Sequence, residues 1–177
     1  MGDLRFRLGG MKPPRNSQNA QSVEGQVATM IDKFEPPVAR LLRGCRKALR
    51  KRLPTAIEQV YDNYNFLAIG FCTTERTSDC LVALAASAKG VALSFYRGAT
   101  LPDPEGVLLG SGKQNRFVRL ESVATLGTPA VAALIGASIV QARTPLPAKG
   151  RGYTMVKSVS ARQRPRRASR IRNSGSR

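Results

Sequence analysis

Histidine is absent from the 177-residue chain, and that absence removes more chemistry than any other feature. Ser-His-Asp and Cys-His nucleophilic catalysis, imidazole acid-base transfer and the common histidine-containing zinc sites all need the ring. Acids are scarce: 11 Asp and Glu stand against 29 Lys and Arg, for a net charge of +18. Cysteine is limited to Cys45, Cys72 and Cys80, an odd number with no C-x-x-C pair. This pattern supplies no disulfide framework and fits a reducing cytoplasm, with Cys45 and Cys72 read as small buried hydrophobes.

Long apolar runs are missing too. The best, 130–140, is interrupted by Gly136 and Ser138 and falls well short of the roughly 20 residues that span a bilayer. Residues 1–15 lack the apolar stretch of a secretory signal, and Phe6 stands where a myristoylation motif wants Ser or Thr. A cytoplasmic protein with no membrane contact is expected, and Met11 offers an alternative start.

What is present is unevenly distributed. Residues 1–22 carry a net +3, 23–142 carry +4, and 143–177 hold eleven basic residues and no acid. The length suits one domain with a full core. The expected organisation is a disordered extension over 1–22, a folded domain over 23–142 and a basic, mostly disordered tail over 143–177.

Apolar residues at helical spacing predict a first helix through Val23, Val27, Met30, Ile31 and Phe34, stopped by Pro36-Pro37. A second, over 37–53, has a stripe of Val38, Leu41, Leu42, Cys45, Ala48, Leu49 and Leu53. Its other side is strongly basic: a solvated face, or a docking surface for an anionic partner. Strands follow over 56–61, 65–72, 81–88, 91–97 and 116–120, the third apolar throughout and suited to burial on both faces. Thr128-Pro129 then opens a last helix. The order predicts an α+β, two-layer fold, with an antiparallel sheet of about five strands and two N-terminal helices and one C-terminal helix packed on it.

The stretch 91–120 holds the most candidate chemistry. Its 18-residue loop, 98–115, contains Gly110-Ser111-Gly112-Lys113, which tempts a phosphate-loop reading. That reading fails because Val107 stands where the first glycine belongs, Gln114 follows the lysine, and a strand follows rather than a helix. A milder anion cradle survives, with backbone N–H groups of Gly110, Ser111 and Gly112 and charge from Lys113 and Arg116. Arg116 alternates onto the core side with Val118 and Leu120, so it needs a carboxylate (Asp62, Glu58 or Asp79), a ligand, or a sheet edge. Arg97 shares a side with Val91, Leu93 and Phe95. If Arg97, Lys113 and Arg116 converge beside Asp62 and Asn63, they form a polar ligand-binding mouth on the sheet.

In the tail, Arg162, Arg164, Arg166, Arg167, Arg170 and Arg172 form a cation suited to non-specific nucleic-acid contact. The expected function is therefore a non-catalytic binding module for a small polar or anionic ligand or protein partner, with a tail that meets nucleic acid. The alternative is an enzyme using Asp62 or Asp79 as base, which without histidine requires a carboxylate of raised pKa. No cofactor, metal site or catalytic residue is implied.

The ordered set Tyr61-Asp62-Asn63-Tyr64-Asn65, Ile69-Gly70-Phe71, 75–79, Leu101-Pro102-Asp103-Pro104, Gly110-Ser111-Gly112 and 116–120 resembles the domain of unknown function 1801 family, the YdhG-like proteins, over about 36–141. Gly150-Arg151-Gly152-Tyr153-Thr154 with 156–160 resembles tails found on one branch of it. The resemblance implies a compact α+β domain and no established activity. Some relatives are regarded as frataxin-like iron chaperones, but iron binding without histidine would need clustered carboxylates. The first helix offers only Glu24, Asp32 and Glu35, and the second is basic.

Overall fold

The computed structural model describes residues 22–167. The expected segment 1–22 therefore lies outside it except for Ser22, as do Arg170 and Arg172.

Helix α1 (Val23–Asp32) starts where the Ser22 hydroxyl accepts the Gly25 N–H at 3.1 Å. It buries Val27, Met30 and Ile31. Helix α2 (Pro36–Arg52) follows, its prolines occupying the first turn, where no intrahelical N–H is required. Its buried face is Ala39, Leu42, Cys45, Arg46 and Leu49, an apolar stripe with one arginine set into it. Five strands then run β1 (Ile57–Asp62), β2 (Leu67–Cys72), β3 (Cys80–Ser87), β4 (Gly90–Phe95) and β5 (Arg116–Leu120). Helix α3 (Pro129–Val140) closes the helical layer with Val131, Leu134 and Ile135.

The expected α+β class, three helices and antiparallel run of strands are all present: β1 to β5 form a meander in sequence order. The tail is a correction. Part of the region expected to stay mostly disordered forms a sixth strand, β6 (Thr154–Val159), which lies parallel to β1 and completes the order β5-β4-β3-β2-β1-β6. Half of its side chains are apolar, Met155, Val156 and Val159, but Lys157 and Ser158 interrupt the alternation of a strand, so pattern alone does not mark it. What holds it are backbone pairing and polar partners that sit more than ninety residues earlier in the chain.

Register fixes the two faces. On the covered side, rows run Asp62, Leu67, Ala86, Val91, Leu120, then Val60, Ile69, Leu84, Leu93, Val118, then Glu58, Phe71, Val82, Phe95, Arg116. Nearly all of these are buried and belong to one core with the helices. On the opposite side the rows are Tyr61, Ala68, Ala85, Ala92, Arg119 and Gln59, Gly70, Ala83, Ser94, Phe117. The helical core cluster leaves this second face uncovered. The expectation that the third strand is covered on both faces is thus overturned: Ala83, Ala85 and Ser87 are only half-buried. Alanine is short and apolar, so it reads as core while costing little when exposed.

After β6 the chain stays on the body. Ser160 N–H donates to the Asp62 carbonyl at 2.9 Å, Arg164 N–H to that of Tyr64 at 2.8 Å, and the Arg164 guanidinium lies 5.6 Å from the Tyr64 ring centre. Arg166 is buried, with Nη2 2.8 Å from Asp62 Oδ1 and its guanidinium 5.6 Å from the Phe34 ring centre. Lys33 Nζ reaches the other Asp62 oxygen at 2.6 Å and Gln163 Oε1 at 2.9 Å. Arg167 donates to the carbonyls of Lys33 and Asp32 at the end of α1. This latch should be a large share of the stability, because removing one member of a buried ion pair strands the other. Replacing Asp62 by Ala should lower the unfolding free energy in urea titration by about 3–5 kcal/mol, whereas Arg167→Ala, at the surface, should cost less than about 1 kcal/mol.

Candidate ligand-binding surfaces

The structure separates the residues that sequence placed in one mouth. Asp62 lies at one end of the covered face and Arg116 at the other, on the far side of four intervening strand pairings. Asp62 is fully buried between Lys33 and Arg166, and Asn63 gives its carbonyl to Arg166. Both are therefore committed to partners within the chain.

Arg116 is on the core side, as alternation requires, and it takes the edge solution. Its Nη1 donates to the carbonyls of Gly112 and Asn115, the latter at 2.9 Å, and no carboxylate meets it. The 98–115 loop is an ordered structure pegged by Asp103, whose carboxylate accepts the N–H groups of Val107 at 3.0 Å and Leu108 at 2.9 Å. Leu109 and Phe117 then exchange two backbone hydrogen bonds, leaving Gly110, Ser111, Gly112 and Lys113 as an exposed tip. Gly110 adopts φ +100°, a conformation that glycine supplies without strain.

Arg97 does line a cavity, with Thr73, Asp79, Ser138, Gln141 and Arg143 rather than Lys113 and Arg116. At about 20 Å³ it has room for a water molecule, and the buried Thr73 hydroxyl on its wall has no protein partner. Asp79 accepts the Thr74 hydroxyl at 2.7 Å. Among the tail arginines, Arg166 is buried and so unavailable to nucleic acid in this structure, Arg164 and Arg167 are bonded to the body, and Arg162 is exposed.

A second polar cluster spans the other end of β1. Arg46 Nη2 lies 2.6 Å from Glu58 Oε2, inside the core, and Arg46 also donates to both oxygens of Glu24 at 3.0 and 3.1 Å. The Thr154 hydroxyl bridges Glu58 at 2.7 Å and Glu24 at 3.0 Å, tying β6 to both helices. Burial acts to raise the Glu24 carboxyl, but hydrogen bonds from Arg46 and Thr154 and the charges of Arg46 and Arg50 outweigh it and hold it below its ordinary value.

Among the larger concavities are two that sequence reasoning did not name. The first is a trough of about 660 Å³ on the open sheet face. Its floor is Ala68, Ala83, Ala85, Ala92 and Ser94, with Phe117 and Arg119 along β5, Phe66 at one end and Lys89 at the β3–β4 turn. The available signal was alternation of size rather than polarity: Val82, Leu84 and Ala86 point inward while Ala83, Ala85 and Ser87 point outward. The second is a groove of about 510 Å³ where the end of α2 meets the turn at Gly150, Arg151, Gly152 and Tyr153.

Among the described residues no group of three or more His, Cys, Asp and Glu is placed to hold a metal ion, and no helix is long and apolar enough to cross a membrane. Cys45 and Cys72 are both pushed away from ionising. Burial pushes Cys45 up to about 11, and a hydrogen bond with Cys80, then burial, raises Cys72. No family model, curated protein or solved structure matches the chain.

The Glu24 shift gives a pH signature. A carboxyl depressed in the folded state stabilises above its ordinary value of 4.5 and loses that contribution as pH falls through the lower folded-state value. Glu24→Gln should therefore flatten the fall in stability between about pH 5 and pH 3, read from urea midpoints at each pH.

Proposed function

We propose that the protein is a non-catalytic binding module whose open sheet face takes a small ligand with a flat apolar body and an anionic group. The observation that carries this reading is the trough. Pockets for small ligands run to roughly 300–1,000 Å³, mostly apolar with a few convergent polar groups, and this one has about 660 Å³ over an alanine floor. Phe66 and Phe117 offer ring faces or edges to an apolar body. Arg119 and Lys89 form no ion pair among the described residues, and although Glu121 also lines the trough, the two cations outnumber it and leave a net positive charge for an anion. Ser94 and Asn115, themselves hydrogen-bonded at 2.7 Å, present a polar corner beside Phe117.

The resemblance of 36–141 to YdhG-like domains is part of the same proposal and brings no activity with it. So is a cytoplasmic location, which suits three unpaired thiols. An enzyme using Asp62 is disfavoured by its two cationic partners.

The aromatic sulfonate 1-anilinonaphthalene-8-sulfonate is a suitable probe because it combines a flat apolar body with one negative charge. Its fluorescence should rise saturably with the folded protein at one site. Filling the floor by Ala85→Leu, or removing the cation by Arg119→Ala, should each weaken binding about tenfold, the equivalent of roughly 1.4 kcal/mol. Arg76→Ala, outside the trough, should not. Titrations indifferent to both trough substitutions would refute the reading.

A further inference from the structure

The geometry points to a second site on the opposite layer: a cationic ridge and groove along α2 and the 149–153 turn that tracks a nucleic-acid phosphate backbone. Arg40, Lys47 and Lys51 are seven and four residues apart on α2, which places them within about 20° of one line along the helix. All are exposed. They span about 16 Å, the axial rise of about five base pairs. At its C-terminal end this line runs into the groove, where Lys51 meets Arg151, with Lys149 just before it in the chain.

These cations are uncommitted, and their neighbours explain why. Asp32 is taken by Arg43, Glu24 by Arg46 and Arg50, and Glu58 by Arg46. Arg52 is spent on the carbonyls of Leu126 and Ala132. Among the described residues Arg40, Lys47, Lys51, Lys149 and Arg151 form no ion pair. Positive charges at the end of a helix do complement its dipole, but that accounts only for the last turn and not for Arg40, Lys47 or Arg151.

The groove is also built rather than incidental. A Cβ on Gly152 would lie 1.8 Å from the Ala56 carbonyl oxygen, so only glycine permits the close approach by which Gly152 N–H donates to Pro54 at 2.8 Å. Gly150 takes φ +100°. The next peptide is fixed as well, since the Glu58 N–H donates to the Tyr153 carbonyl at 2.8 Å. Arg151 is thereby carried on a braced turn beside Lys51, and Tyr153 is 47% exposed next to it, available for stacking. Of the large apolar walls, Leu53 and Phe71 are buried and Tyr153 alone is exposed, so the groove offers an acidic protein partner a single ring rather than a cluster of apolar anchors. Repeating charge without such a cluster suits phosphates and carries no base-reading geometry.

Fluorescence anisotropy with a labelled 20-base-pair duplex and the matching single strand, over a range of salt, tests this on the full chain. Lys51→Glu/Arg151→Glu should weaken binding about tenfold or more at ~100 mM salt and reduce the salt slope by about 2, while Arg76→Glu/Lys113→Glu, with the same net charge, should stay within about twofold of the parent. Circular dichroism confirms that the exposed substitutions leave the fold intact. Equal losses from the two pairs would mean diffuse attraction and overturn the site. So would binding that survives both but vanishes when 168–177 is removed, or competition by polyglutamate as strong as by the duplex.

Discussion

Two carboxylates buried on one strand organise this protein. Glu58 and Asp62 flank Val60 on the covered face of β1, and each is essentially excluded from water. A carboxylate in that position is tenable only with a cation and hydrogen bonds supplied from elsewhere. For Glu58 the cation is Arg46, set into the otherwise apolar stripe of α2, with the Thr154 hydroxyl donating to the oxygen that Arg46 Nη2 also holds and Arg50 Nε 3.4 Å from the other. For Asp62 the cations are Lys33, just after α1, and Arg166 from far along the chain. Satisfying these two acids therefore specifies how both N-terminal helices sit on the sheet. It also draws the last described part of the chain down the edge of β1.

The same commitment shapes the surface. Four acids, Glu24, Asp32, Glu58 and Asp62, are taken by ion pairs, and cations outnumber acids 29 to 11, so the surface keeps an excess of unpaired positive charge together with the contours left by register. The two layers use this differently. The sheet face has small residues on β2, β3 and β4 between bulkier ones on β5 and β1, a cross-strand profile that hollows the surface without breaking a backbone hydrogen bond. The helical layer has its charge in a line because residues seven and eleven apart share one side of a helix.

Much of the architecture was legible. Helical periodicity and the Thr128-Pro129 start gave α1, α2 and α3, and alternation put Val118, Leu120 and Arg116 on one side of β5. The failures share a cause. The partner of Asp62 lies 104 residues away, so local pattern could show that Asp62 was unusual but not that Arg166 answers it. Likewise β6 is a short segment within a basic, acid-free tail that is held by pairing with β1, and composition describes only what a segment could bury by itself. For β3, a continuous apolar run conceals the difference between leucine and alanine, and that difference is the whole of the trough. The glycine-rich loop failed oppositely: its residues looked chemical, but Asp103 and the Leu109–Phe117 pairing fold it back on itself.

The proposed binding role rests on which groups are left free. The two buried carboxylates are each enclosed by cations, Glu58 by Arg46 and Asp62 by Lys33 and Arg166. Nucleophilic chemistry needs a thiolate, yet Cys45 is pushed away from ionising by burial, and Cys72 by its neighbour Cys80 as well as by burial. The chain has no imidazole. Arginine and lysine outnumber the acids, and near neutral pH they bind and orient anions without accepting or releasing protons. The cations left outside the buried pairs are therefore the groups on which the proposed recognition depends.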